Sequence, residues 1–270
     1  MGTIIDYYSV FDEWGRLDRE PLEFKVNWHY IARCLPSAGA AVLDNGAGPG
    51  KYAMKLAAQG YRVTLADLTP SLVEVARAKA GELGLSDGFD DFLVRNALDL
   101  SGLTDDRFDA ALMLGPLYHL QTEEERVRAV SEVLRVTKPG GIVFAAVMPR
   151  VRKTLGALMV PSQWRPLDSM DAIEAFNRTG LFDHADPGRF TGAYFFDIKE
   201  VIPFFESCGM ETVSLVSSTG NGGQLTEEQW AYWRERGEEE RLLNYLYESA
   251  ADPYLLGTAS HLLYIGRRRG

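Results

Sequence analysis

The apolar run AAVLD at 40–44 leads directly into Asp44-Asn45-Gly46-Ala47-Gly48-Pro49-Gly50, an acid followed by glycine at every second position. Glycines in a strand-to-helix turn let the backbone approach a ligand closely at the end of a sheet. Several nucleotide-binding chemistries use such a turn, and spacing separates them. A dinucleotide fingerprint, GxGxxG, needs a third glycine where Lys51 stands. A P-loop, GxxxxGK[ST], needs glycine in place of Asn45 and Ser or Thr in place of Tyr52. What remains suits a ligand with an amino acid end and a nucleoside end better than one built around a pyrophosphate. Asp67 closes a second apolar run, YRVTLAD, 23 residues beyond Asp44, the interval at which a Rossmann-type unit sets an acid to accept ribose hydroxyls. A ribose is therefore expected. After a third run, Asn96-Ala97-Leu98-Asp99 offers an amide, a carboxylate and backbone groups that could read an adenine edge.

These residues hang on apolar runs that alternate with helical patterns. Leu22, Val26, Tyr30 and Ile31 at helical spacing predict a helix over 20–35, closed by Pro36 and Gly39. Further helices are predicted over YAMKLAAQ, ended by Gly60, from Pro70 to about Leu83, and from about Thr122 to Val136. Between and after them lie apolar runs at 61–67, 89–95, 108–114 and 141–148. Parallel neighbours need a connection long enough to return, so these runs, with AAVLD, read as parallel strands joined by right-handed crossovers. The fold class is α/β, a doubly wound, mostly parallel sheet. The near-continuous apolarity of VTLAD and IVFAAVM predicts helices on both sheet faces.

Beyond 150 the pattern changes. Proline and glycine signals interleave with Trp164, Phe176, Phe182, Phe190, Tyr194, Phe195 and Phe196, which predicts a helical and loop insertion over 149–196 after the fifth strand. Two roles stay open for its aromatic side chains: the wall of an apolar substrate pocket, or the insertion's own small core. A helix at 197–207, a run at 211–217, one helical stretch over 226–249 and a last run HLLYIG at 261–266 follow. The expected organisation is a single domain over 1–270. It comprises an N-terminal helical segment or lid (1–37), a ligand-binding core (38–148), a covering insertion (149–196) and a C-terminal completion of the sheet (197–270).

Composition narrows the function classes. Lys plus Arg number 28 and Asp plus Glu 38, a formal charge of −10 that argues against broad affinity for nucleic acid or anionic lipid. Cys34 and Cys208 stand far apart with no CxxC, so neither a disulfide framework nor a zinc cluster is written here, and a reducing, cytoplasmic setting is expected. The opening MGTIIDYYSVFDEWGRLDRE lacks the basic and apolar regions of a signal peptide, and no stretch approaches the ~20 apolar residues of a membrane span. Without HExxH or GxSxG, metal hydrolysis and serine esterase chemistry have no support, and no metal is expected.

Taken in order, LDNGAGPG, the strand-end Asp67, RNALDL at 95–100, FDAALMLGPLYHL at 108–120 and LRVTKPGG at 134–141 resemble the class I S-adenosylmethionine-dependent methyltransferases. The resemblance covers roughly 38–148 and continues more loosely through TGAYFFDIKEVIPFFESCGM. It implies a seven-stranded sheet whose last strand is antiparallel, with HLLYIG as the candidate, and S-adenosylmethionine as cofactor with S-adenosylhomocysteine as product. Carried over by position, Asp44 and Gly46 would sit by the methionine part, with Gly48 and Gly50 allowing close backbone approach. Asp67 would bind the ribose, and Leu68 would pack on the adenine. Many members carry Asp where this chain has Asn96; Ala97 and Leu98 would complete the adenine site. Leu114 and Gly115 would approach the sulfonium and its methyl group.

Methyl transfer from a sulfonium is an in-line displacement, in which the protein aligns the partners and accepts a proton when the nucleophile is a hydroxyl. His119, just after the fourth strand, is the histidine best placed to act as that base, or else it lines the pocket and holds a loop. His184 is a rival base; His29 and His261 read as packing residues. Tyr7, Tyr8, Trp14 and Arg16 would form a lid or only anchor their segment. Trp230, Trp233, Tyr245 and Tyr247 read as a packing face. The reading is methyl transfer to a small-molecule acceptor, at oxygen or nitrogen, with no nucleic acid or membrane partner. An RNA or protein methyltransferase, or a non-catalytic cofactor-binding module, are the rivals.

Overall fold

The computed structural model describes residues 5, 14–15, 21–163, 165–183 and 192–270. Tyr7, Tyr8 and Arg16 of the expected lid, and Trp164, His184 and Phe190 of the insertion, lie outside the described residues. In chain order the elements are helix α1 (Pro21–Cys34), β1 (Ala41–Asn45), α2 (Lys51–Ala58), β2 (Arg62–Asp67), α3 (Pro70–Glu82), β3 (Phe89–Val94) and β4 (Phe108–Met113). They continue as α4 (Glu123–Val136), β5 (Thr137–Val147), α5 (Arg150–Met159), α6 (Met170–Thr179), β6 (Leu181–Phe182) and β7 (Ala193–Tyr194). The chain closes through α7 (Ile198–Ser207), β8 (Met210–Ser217), α8 (Glu227–Glu235), α9 (Glu239–Ser249) and β9 (Leu262–Arg268).

Seven strands form one sheet in the order β3-β2-β1-β4-β5-β9-β8. The first five pair in parallel, and β9 runs antiparallel to both β5 and β8. The strand order reverses between β1 and β4, the switch point at which open α/β sheets leave a crevice at the carboxyl ends of their strands. Because β9 is antiparallel and starts with Leu262 opposite Val147, the residue just before it lies at that same edge.

Alternation along the strands supplies two cores. Leu43, Ala111 and Met113 face one side, against Ala129 and Val133 of α4 and Phe205 of α7. Val42, Ala110 and Leu112 face the other, against Ile31 of α1, Leu56 of α2 and Ala76 of α3. Each such leucine, valine or isoleucine contributes about 1.5–3 kcal/mol on burial, which fixes the register that carries Asp44 and Asp67 to the strand ends. Among the described residues no helix is long and apolar enough to cross a membrane.

The structure decides one open alternative and corrects two expectations. Phe176, Phe182 and Phe195 are packed with Leu167, Ile173 and Met148 in the insertion's own core, Phe176 and Phe182 each edge-on to Phe195 at 5.4 and 6.2 Å, and do not line a substrate pocket. Phe196 belongs to the main core. The fifth strand starts at Thr137, with a register shift between the Phe108↔Thr137 and Ala110↔Ile142 pairs that absorbs Pro139-Gly140-Gly141 as a local irregularity. The helical stretch at 226–249 is two helices, because Gly237 at φ +70° breaks it. Of its aromatic residues, Tyr247 packs on the His29 ring at 4.3 Å, Trp230 and Trp233 are half-buried and Tyr245 is exposed.

Candidate active site

A cleft opens at the carboxyl ends of β1, β2 and β4, and α1 closes it from the side with Glu23 and Asn27. At the end of β1, Asp44 is 3% exposed, and its Oδ2 has no hydrogen-bond partner among the described residues. Burial, and next the neighbouring Asp67, push its carboxyl up to about 7. Gly46 holds φ +73°, and a Cβ there would run into the Pro116 ring. Its N–H and that of Ala47 donate to the Ala66 carbonyl at 2.7 and 3.1 Å, which ties the turn to β2. Gly48 lines the cleft; Gly50 lies behind it as the residue preceding α2, next to Leu65 and Ala76.

At the end of β2, Asp67 accepts the N–H of Thr69 through Oδ1 and that of Gly48 through Oδ2, each at 2.8 Å. Burial raises its pKa against the pull of those two N–H groups. The Thr69 side chain bonds it as well, and of the roughly four lone-pair sites of a carboxylate this leaves room for a ligand hydroxyl. Leu68 is beside it in the cleft wall. After β3, Ala97 and Asn96 line the cleft, but the Asn96 Oδ1 already accepts the Leu98 N–H at 3.0 Å in a local turn. Leu98 itself packs against the main core and does not line the cleft.

After β4, Leu114, Gly115 and Pro116 form the cleft wall, followed by Tyr118 and His119 on a short 3-10 turn. The His119 Nδ1 is shielded from solvent, and burial pushes the imidazole down to about 4, so it is neutral at neutral pH and a weak proton acceptor.

Sequence reasoning missed the contribution of α1. Glu23 and Asn27, four residues apart on one helix face, both reach the cleft, and Asn27 donates through Nδ2 to the Tyr52 hydroxyl at 3.3 Å. The available signal was a polar pair at helical spacing among Leu22, Val26 and Ile31. His261, expected as a packing residue in the last strand, instead precedes β9 and bonds through Nδ1 to the Glu23 Oε2 at 2.9 Å. Of the lid residues, Trp14 is described: the Lys51 ammonium sits 5.2 Å from its ring centre and donates to its carbonyl at 3.2 Å. Lys51 lines the cleft, whereas Trp14 packs against the core beside α1 and α2 and does not line it.

The family described as "Methyltransferase domain" matches residues 43–145, the stretch from β1 to β5. Among curated proteins, the ubiquinone biosynthesis O-methyltransferase of Xanthomonas axonopodis pv. citri (strain 306) is 32% identical over 162 residues, which cover 58% of this chain. The match spans 65% of that relative's own length, just under two thirds. Among solved structures, a SAM-dependent methyltransferase from Methanosarcina mazei superposes with a TM-score of 0.61 at 22% identity, over 89% of this chain and 97% of that one. The [4+2]-cyclase SpnF superposes at 0.57 and 19% identity, over 92% of this chain and 80% of that one. Residues 43–145 thus match the family described as "Methyltransferase domain", within a sheet that shares its fold with these solved structures.

Proposed function

We propose that this chain transfers a methyl group from S-adenosylmethionine to a hydroxyl of a small molecule. The observation that carries the reading is Asp44: a buried carboxylate with an unfilled oxygen, beside a turn whose glycines leave room for a ligand. A desolvated acid of that kind calls for a cationic partner, and the ammonium of an amino acid ligand is one. In this reading Asp44, Gly46 and Gly48 hold the methionine part, and Asp67 takes the ribose hydroxyls. Leu68, Asn96 and Ala97 flank the adenine, and Leu114 stands near the sulfonium. Gly50 and Leu98 shape the site from behind. When bound, the cofactor supplies an electrophilic methyl group; the chain's own task is to align the acceptor, exclude water and receive a proton.

Oxygen is favoured because the curated relative is named an O-methyltransferase, and a small acceptor suits both that name and the acidic charge. A cytoplasmic setting belongs to the same proposal, supported by Cys34 and Cys208 being free thiols. So does the action of all four segments as one domain, supported by a sheet that draws strands from residues 41 to 268. The reading of His119 as the base, made from its place after β4, is weakened by its low basicity.

Calorimetric titration with S-adenosylmethionine and S-adenosylhomocysteine tests the reading. Wild type should bind both, and Asp67→Ala should bind about 10- to 100-fold more weakly, the loss of one or two charge-assisted hydrogen bonds. No binding by folded wild type would sink the proposal. A second reading, a cofactor-holding protein with other chemistry, is favoured by the cyclase of the same fold; binding without any methylated product would select it.

A further inference from the structure

Asp44 and Asn27 both line the cleft, and each carries a buried oxygen with no hydrogen-bond partner among the described residues, Oδ2 of the acid and Oδ1 of the amide. The two residues are 3% and 2% exposed. A buried acceptor without a donor is costly, so two of them in one cleft call for a ligand that brings N–H or O–H groups to both. The cleft's other carboxylates already have protein partners: Asp67 accepts the Thr69 and Gly48 N–H groups, and Glu23 is bonded to His261.

Different elements bring the two oxygens to one corner. Asp44 is at the end of β1, and the Ala53 N–H, in the first turn of α2, faces its carboxyl. Asn27 is on α1, and its Nδ2 donates at 3.3 Å to the hydroxyl of Tyr52, which belongs to that same turn of α2. Such a bond is what tells the two ends of an amide apart, and it assigns Oδ1 as the free end. The sequence separates Asn27 from Asp44 by the whole remainder of α1 and a loop, so only the packing of α1 beside α2 joins them.

Asp67 is on β2, one strand step of about 4.8 Å from β1. A ligand that sets its ribose on Asp67 therefore presents a different group at Asp44 and Asn27. An ammonium fits that corner, because it has three N–H donors and no acceptor. The amide supplies something the acid does not: it accepts a hydrogen bond at any pH, whereas a protonated carboxyl is itself a donor.

We infer that Asn27 is a second anchor for the amino acid end of the cofactor, its Oδ1 and the Asp44 Oδ2 sharing the ammonium, so that α1 sets the preference for a complete cofactor over a bare nucleoside. The inference rests on the transfer reading above. Asn27 binds and takes no part in proton transfer; Tyr52, which holds the amide, is a positioning residue.

Three probes isolate this corner in titration calorimetry, without turnover. S-adenosylhomocysteine carries an ammonium and a carboxylate, its decarboxylated amine keeps only the ammonium, and 5′-methylthioadenosine has neither. Asn27→Leu, similar in size but with no acceptor, should bind the first two about 10- to 100-fold more weakly than wild type and 5′-methylthioadenosine within about threefold. Asn27→Asp restores an acceptor, and should bind the first two more tightly than Asn27→Leu and within about tenfold of wild type. That recovery, with retained binding of 5′-methylthioadenosine, also shows that the variants fold. Equal losses on all three probes would make Asn27 a structural residue. A loss confined to S-adenosylhomocysteine, or an Asn27→Asp weaker than Asn27→Leu, would put the amide on the carboxylate instead. Undiminished binding by Asn27→Leu would leave Oδ1 to a buried water. Any of these three results overturns the inference alone, whereas wild type that does not bind S-adenosylhomocysteine overturns the proposed function.

Discussion

In the proposed reading, ligand binding at Asp44 is coupled to the loss of its proton. Its carboxyl is pushed from 3.8 up to about 7, first by burial and then by Asp67, so the ligand-free protein holds much of it protonated at neutral pH. A cationic ammonium prefers the ionised form, and binding there should release a proton. Affinity for S-adenosylhomocysteine should be about tenfold weaker at pH 6 than at pH 8, and Asp44→Asn should bind weakly with a flat profile; calorimetry in buffers of different ionisation enthalpy reads the proton directly. Stability has the opposite sign. The folded value lies above the unfolded one, so the contribution of Asp44 is complete below pH 3.8 and is lost as pH rises through about 7. Asp44 and Asp67 were legible in the sequence because each ends an apolar run. Glu23 and His261 were not, because a contact across 238 residues leaves no local pattern. Asn96 shows a related limit: its short side chain satisfies a backbone N–H two residues on, a local use that competes with ligand recognition.

At the level of elements, the β1–α2 turn is the part with least tolerance. Gly46→Ala would meet both a left-handed backbone and the Pro116 ring, so it should cost about 2 kcal/mol or more in urea unfolding and lower cofactor affinity as well. An unchanged unfolding midpoint would contradict this account of the turn. The alternation of strands and helices was readable because apolar period and turn residues agree along 41–147. Thr122 illustrates that agreement, with its hydroxyl and the Glu125 carboxylate forming the capping box that starts α4. The insertion was less readable, since Phe176, Phe182 and Phe195 are of types that serve a core or a pocket equally well. The break at Gly237 was missed because Trp230, Trp233 and Tyr245 kept a partly helical rhythm across it.

On the scale of the molecule, ligand and fold are linked by mass action. Saturation with S-adenosylhomocysteine at about 100 times its Kd should add about 2.7 kcal/mol to unfolding, a rise of roughly 5–10 °C in Tm, and Asp67→Ala should gain only about 0.4–1.4 kcal/mol at the same concentration. The sheet order itself also sets an order in time. β8 pairs only with β9, and β5 presents an open edge until β9 enters between them. During synthesis the turn at 44–50 and Asp67 emerge long before His261, so a growing chain can assemble the β1–β2 side of the cleft while the Glu23 side still lacks its partner from the C-terminal strand. Insertion of β9 seals the sheet and delivers His261 to Glu23 in the same movement, so the cleft is complete only in a chain that has finished folding.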